Sequence, residues 1–203
     1  MPSRRTLMAA DGGSWLYAKR YRAAGGADAE WRWLHRLRQA GEVAAEPVAR
    51  VRSRRGSMVV FGAVPGRSLD AWAVTAADEG WLDRWFAYCV REVAPLARRL
   101  HDRRWIHRDL NLAHLFARDP REGGRPAVID VERMFRPRWR WRRWVVKELA
   151  SLLASSPVPV PVSIRARFLR GYAGGLSVGE RRALFAAVAR KVARIEGHRP
   201  RFG

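Results

Sequence analysis

Residues 105 to 130 hold the side chains whose types and order could do chemistry. The run Trp105-Ile-His-Arg-Asp-Leu-Asn-Leu-Ala-His114 sets a histidine, an arginine and an aspartate side by side, with a polar residue five positions past the aspartate. A second aspartate, Asp130, ends the short apolar run from Ala127. Phosphoryl transfer needs such parts: a carboxylate to orient and deprotonate an acceptor hydroxyl, ligands for a cation that spreads the charge of the moving phosphate, and a clamp on the nucleotide. Asp109 is the candidate base, with Arg108 beside it as the second candidate catalytic residue. Asp130 is the main candidate magnesium ligand. His114 stands where an amide side chain would serve the cation, and because magnesium prefers oxygen donors it would ligate weakly, act through water or hold the loop. Asn111 is a lower-ranked substitute, two rather than five residues past Asp109.

The clamp should lie earlier in the chain. Residues 4 to 22 read as a hairpin, Arg5 to Ala9 and Ser14 to Tyr21, around the turn chemistry of Asp11-Gly-Gly. Alternation puts Trp15, Tyr17, Lys19 and Tyr21 on one face, which implies either a cleft-facing ammonium with an anionic partner or a lysine snorkelling off a sheet edge. A helix is expected from Asp28, as N-cap, to residue 40, with Gly41 as its stop. Glu30, Leu34 and Leu37 share a face, so Glu30 points inward as the partner of Lys19, or else rests exposed on the helix dipole. Lys19 and Glu30 are the candidate nucleotide-binding pair.

The remaining elements must carry these residues. Two short strands are expected at Pro47 to Val51 and Ser57 to Gly62, then a turn-rich connection over Ala63 to Leu69 as the hinge, with the lobe boundary near Gly62 to Gly66. A helix is expected over 75 to 103, capped by Thr75 and Asp78 and kinked or divided by Pro95. Strands at Leu115 to Arg118 and Ala127 to Asp130 would fold back and return Asp130 toward Asp109 and His114. Further helices are expected from Trp141, from Ser163 to Tyr172, and after a Ser177/Glu180 capping box. The chain then forms one domain, residues 1 to 203, with an N-lobe over 1–64 and a C-lobe over 65–203.

Composition narrows the partners. The net charge is +21, and of 40 basic residues only Lys19, Lys147 and Lys191 are lysines. Such a balance favours a polyanion or a phosphorylated substrate. Phe135 to Trp144 packs five Arg and three Trp into ten positions. Arg138, Trp139, Arg140, Trp141, Arg142, Arg143 and Trp144 could form a patch on an anionic membrane surface, or the indoles could pack inward with the guanidiniums solvated. No recognisable nucleic-acid module accompanies the charge, which argues against nucleic acid. A single cysteine, Cys89, excludes an internal disulfide and fits a reducing compartment. No run is long and apolar enough to span a bilayer, and Met1 to Ala10 does not read as a secretion signal, so a cytoplasmic location is expected.

With these residues in place, the chain resembles the lipopolysaccharide core kinase family, small kinase-like enzymes that phosphorylate heptose or Kdo sugars of the inner core. The resemblance is carried by His107-Arg-Asp-Leu-Asn-Leu-Ala-His114, Val128-Ile-Asp-Val-Glu-Arg133, Lys147-Glu-Leu-Ala-Ser-Leu-Leu153 and Arg167-Phe-Leu-Arg-Gly-Tyr172, and covers roughly residues 15 to 198. It implies an α+β, small two-lobed protein kinase-like fold with a reduced N-terminal sheet lobe and a mostly helical C-terminal lobe. It also implies ATP and magnesium (Mg2+), an acceptor on the lipopolysaccharide core or another lipid-linked sugar, and a place at the cytoplasmic face of a Gram-negative inner membrane. A histidine at position 114 fits that family's pattern. The chain departs from the wider kinase pattern in having no Gly-x-Gly-x-x-Gly run before Lys19 and Val-Glu, not Phe-Gly, after Asp130.

Overall fold

A computed structural model of the protein describes residues 4–11, 14–22 and 25–198. The chain divides into two compact units, Met1–Pro65 with Ala127–Met134, and Gly66–Pro126 with Phe135–Gly203.

The first unit is built on a four-stranded antiparallel sheet. Its strands are β1 (Arg4–Asp11), β2 (Ser14–Tyr21), β3 (Pro47–Ser53) and β4 (Gly56–Gly62), in the order β1-β2-β4-β3. Period-two patterning explains why β2 and β4 are central: Lys19 pairs with Val59, and Val59 is fully buried. The glycines of the expected Asp11-Gly-Gly turn lie outside the described residues. Helix α1 (Gly26–Gln39) packs beside the sheet, burying Ala27, Glu30, Trp33, Leu34 and Leu37 on one face. It begins two residues before the expected cap, so Asp28 sits in its first turn and pairs with Arg50 at 2.8 Å and with Arg52. Gly41, at φ +76°, ends the helix as its composition implies. Gly26 has a specific reason to be glycine, since a Cβ there would stand 2.6 Å from a ring carbon of Tyr21. The later segment joins this unit when the Val128 N–H donates to the Val43 carbonyl at 2.9 Å. A 3-10 turn, Val131–Arg133, follows.

The second unit is mostly helical. Its short strands β5 (Arg67–Ser68) and β6 (Leu115–Ala117) pair antiparallel, Arg67 opposite Ala117; the two-residue β7 (Ala127–Val128) belongs to the first unit. Gly66, at φ +93°, lets the chain run against the Ala117 carbonyl, where no Cβ would fit. The single helix expected over 75–103 is in fact α2 (Leu69–Asp78) and α3 (Leu82–Tyr88), divided by Gly80 at φ +74°. Thr75 lies inside α2 and turns its hydroxyl back to the Ala71 carbonyl, so it caps nothing. From α3 the helical path continues through a π segment, Cys89–Val93, into α4 (Ala94–Asp102). Pro95 is the second residue of α4, at its junction with the π segment, so the helical path passes through it and does not divide there. Cys89 is buried, as its place on the apolar face implies. Helices α5 (Trp141–Ala154), α6 (Val162–Tyr172) and α7 (Val178–Gly197) complete the unit. The capping box of α7 is present: Ser177 Oγ accepts the Glu180 N–H, and Glu180 accepts the Ser177 N–H at 2.9 Å.

Candidate active site

In the first unit, β2 and α1 bring Lys19 and Glu30 together. Lys19 Nζ lies 2.7 Å from Glu30 Oε1 and 2.8 Å from Asp130 Oδ1, with Glu132 Oε2 at 3.9 Å. Lys19 is 8% exposed and Glu30 1%, so neither the snorkelling lysine nor the exposed glutamate describes this pair. Burial opposes the charge on Lys19, but Glu30 and Asp130 outweigh it and hold the ammonium above the usual lysine value. Burial, against the pull of Lys19, leaves the Glu30 carboxyl above the usual carboxylate value. Phe61 adds an aromatic face 5.5 Å from the ammonium, and Tyr17 stacks on Phe61. Trp15, by contrast, is 53% exposed, so the aromatic face expected around Lys19 is incomplete.

Two further residues of this cluster were not singled out from sequence. The Tyr21 hydroxyl lies against Glu30 and 2.7 Å from Glu132 Oε2. Its phenol is pushed well up, first by burial and then by Glu30. Asp130 adopts the left-handed conformation, φ +58°, which Asp tolerates better than most residues. The 3-10 turn after it then turns Glu132 toward the same cluster. Oxygens of Glu30, Asp130 and Glu132 all lie within 4.8 Å of one another. An all-oxygen carboxylate set suits a hard cation such as magnesium, so the residues present fit that ion.

In the second unit, the loop after α4 carries Arg108, Asp109, Asn111 and His114. Arg108 is non-glycine at φ +78°, a conformation that costs about 1–3 kcal/mol and must be held by its surroundings. Helix α5 supplies the hold. Glu148 Oε1 accepts the Arg108 N–H, and Lys147 Nζ donates to the Arg108 carbonyl at 2.8 Å. The other Glu148 oxygen lies 2.8 Å from His101 Nε2, and His101 Nδ1 lies 2.8 Å from the Tyr172 hydroxyl. Nε2–H donates to the carboxylate, and Tyr172 can donate its hydroxyl hydrogen to Nδ1. His101, Glu148 and Tyr172 are all buried. Glu148 had a signal in the sequence, because it falls on the apolar face of α5 between Val145, Leu149 and Leu152.

His114 ends a 3-10 turn, Leu112–His114, and its Nδ1 lies 2.8 Å from the Asp109 carbonyl. A carbonyl only accepts, so Nδ1 carries the proton. Asn111 Nδ2 donates to the same carbonyl at 3.1 Å. Asp109 itself is half-buried, between exposed Arg108 and buried Leu110.

The Arg/Trp segment divides. Trp139 is 69% exposed between exposed Arg138 and Arg140. Trp141 and Trp144 are half-buried, set edge to face with His101 and Phe135 at 5.7 and 5.0 Å. Among the described residues no helix is long and apolar enough to cross a membrane.

Comparison with known proteins gives one family and a consistent set of folds. The lipopolysaccharide kinase (Kdo/WaaP) family matches residues 17–172. A structure of WaaP in complex with acyl carrier protein superposes with a TM-score of 0.78 at 25% identity, covering 95% of this chain and 85% of that one. An aminoglycoside-3'-phosphotransferase of type VIII is similar at TM-score 0.53 and 20% identity, over 94% of each chain. Aminoglycoside phosphotransferase APH(3'')-Id from Streptomyces rimosus is similar at 0.59 and 13%, over 92% of each. The last two likenesses show the protein kinase-like α+β fold alone. No curated protein sequence matches the chain.

Proposed function

The chain belongs to the lipopolysaccharide kinase (Kdo/WaaP) family and is a phosphotransferase, and from that premise we propose that it moves the γ-phosphate of ATP to a heptose or Kdo hydroxyl of the lipopolysaccharide inner core, at the cytoplasmic face of the inner membrane. The observation that carries this reading is the buried bridge from Lys19 to Glu30 and Asp130. An ammonium held by a helix carboxylate and set against a second carboxylate is the arrangement that grips nucleotide phosphates and their cation.

In this reading Asp109 accepts the acceptor hydroxyl's proton as the hydroxyl oxygen bonds to the γ-phosphorus and the bond to the bridging oxygen breaks, releasing ADP. Arg108 supplies its backbone to fix Asp109, and its exposed guanidinium is available to spread phosphate charge. Lys19 clamps the nucleotide phosphates, and Glu30 orients it. Magnesium supplies charge neutralisation when bound, and Asp130 would hold it through a carboxylate oxygen. Absence of a glycine-rich run before Lys19 places more of the phosphate grip on Lys19 itself. We assign the N-lobe to residues 1–64 and the C-lobe to 65–203 as the functional division of this single domain.

Trp139 with Arg138 and Arg140 supports contact with an anionic membrane surface, where the acceptor lipid is anchored. The contact uses one indole and its flanking guanidiniums, since the other two indoles of the segment pack inward. Mass spectrometry of lipopolysaccharide from cells lacking the protein tests the function. Loss of one phosphate from an inner-core sugar is expected, and an unchanged core would overturn the reading.

A further inference from the structure

We propose that Tyr21 is a positioning residue of the nucleotide site: its hydroxyl ties Glu30 on α1 to Glu132 beyond Asp130, and so sets how Glu30 and Asp130 stand about Lys19. The inference rests on the phosphotransferase reading above and uses residues of the first unit alone.

Two glycines hold Tyr21 where its hydroxyl can do this. Lys19 and Tyr21 are two residues apart on β2, so alternation sends both side chains to the same face. Gly26, the first residue of α1, lets the helix begin against the tyrosine ring, where a Cβ would stand 2.6 Å from a ring carbon. Gly56, at φ +133°, starts β4 against the Tyr21 carbonyl, where again no Cβ would fit. One glycine therefore sets the ring and the other sets the backbone. The hydroxyl then lies against Glu30 and 2.7 Å from Glu132 Oε2. A phenylalanine ring would fill the same space, so packing does not call for the hydroxyl. What the hydroxyl adds is a join between two carboxylates from opposite ends of this unit.

That join falls where the backbone needs support. Asp130 is left-handed at φ +58°, and Glu132 is the middle residue of the 3-10 turn that follows it. Anchoring Glu132 fixes the turn, and the turn fixes the direction of the Asp130 carboxylate, 2.8 Å from Lys19 Nζ. One hydroxyl carries one hydrogen and donates to one carboxylate at a time. Cation charge beside Asp130 and Glu132 relieves the second contact and leaves the hydrogen to Glu30, which holds Lys19 at 2.7 Å. Cation binding and the hydrogen bond from Tyr21 to Glu30 thus support each other.

The test titrates the full chain with a non-hydrolysable ATP analogue, with Mg2+ and with EDTA, by calorimetry. Mg2+ should strengthen analogue binding to the unaltered protein. Tyr21→Phe should lose about tenfold of that strengthening, with far less change in the affinity measured in EDTA. Glu132→Gln should lose a similar part of it. The double variant should lose no more than the weaker-binding single variant, because both substitutions remove one contact. Undiminished strengthening in Tyr21→Phe, equal losses with and without Mg2+, or losses that add in the double variant overturn the proposal and leave the phosphotransferase reading intact. Should Tyr21→Phe not fold, Glu132→Gln decides, and an undiminished Mg2+ effect there overturns the proposal. If the unaltered protein binds the analogue under neither condition, the reading fails and the inference falls with it.

Discussion

Glu148 accepts the backbone N–H of Arg108 from forty residues away, and its second oxygen meets His101. One buried carboxylate thereby fixes a left-handed arginine in the loop that carries Asp109. Removing it in Glu148→Ala strands two buried donors, which predicts a loss of about 2–4 kcal/mol in denaturant unfolding. Glu148→Gln should cost about 1 kcal/mol, because its carbonyl still takes the Arg108 N–H while His101 must change tautomer to receive its amide. Activity should fall through kcat with little change in KM for ATP. Equal stability of the alanine and glutamine variants would contradict the clamp.

Lys19→Met leaves Glu30 buried beside two other carboxylates. A loss of about 3 kcal/mol is expected at neutral pH, together with loss of nucleotide affinity. The pH dependence has a definite sign. Glu30 has a raised carboxyl, so the stability tied to its protonated form is present below the ordinary value of 4.5 and is lost as pH rises through the raised value. The gap between variant and parent should therefore narrow as pH falls toward 4.5, which thermal unfolding across an acid pH series would check. A gap that widens on acidification would count against the buried bridge.

Alkaline stability should be set by buried thiol and phenol groups. Burial raises Cys89 from an ordinary value of 9.0, and burial chiefly raises Tyr21, Tyr88 and Tyr172 from 10.0. Each favours the folded state fully below its ordinary value, and that contribution is lost as pH rises toward its folded value. Unfolding free energy should be flat to about pH 9 and then fall by about 1.4 kcal/mol per pH unit for each group engaged. Cys89→Ala should delay the onset to near pH 10, where the phenols begin to titrate. An onset unmoved by that substitution would remove Cys89 from the account.

Trp139→Ala, and replacement of Arg138 and Arg140, should weaken binding to vesicles containing anionic phospholipid by about 1 kcal/mol per arginine, without altering thermal stability. Trp141→Ala should do the reverse, because its ring packs against His101 and under the Arg104 guanidinium. Vesicle cosedimentation with melting curves for both variants separates the two. Membrane binding lost only in Trp141→Ala would contradict the assignment to Trp139.

The parts of this protein legible in sequence are those fixed by local periodicity. Lys19 and Glu30 lie eleven residues apart on a strand and the helix after it, so two simple periods predict that both face inward. The Ser177/Glu180 box and the apolar faces of α5 and α7 follow from the same rules. What sequence missed depends on contacts far apart in the chain. Tyr21 and Glu132 meet across 111 residues, and no spacing rule reaches that far. The helix expected over 75–103 divides at Gly80, although its apolar periodicity runs through that residue unbroken, because the glycine takes a positive φ that periodicity does not reveal. The residue type of Asp28 suggests a cap, while Arg50 and Arg52 on β3 decide its role.

The most direct measurement of the central claim is transfer of phosphate from ATP to purified lipopolysaccharide core lacking its inner-core phosphates, read by mass spectrometry. The account predicts a product carrying one added phosphate on a heptose or Kdo sugar, formed by the unaltered protein and abolished in Asp109→Ala. No phosphorylated core from a folded, unaltered protein, or undiminished transfer by Asp109→Ala, would contradict it.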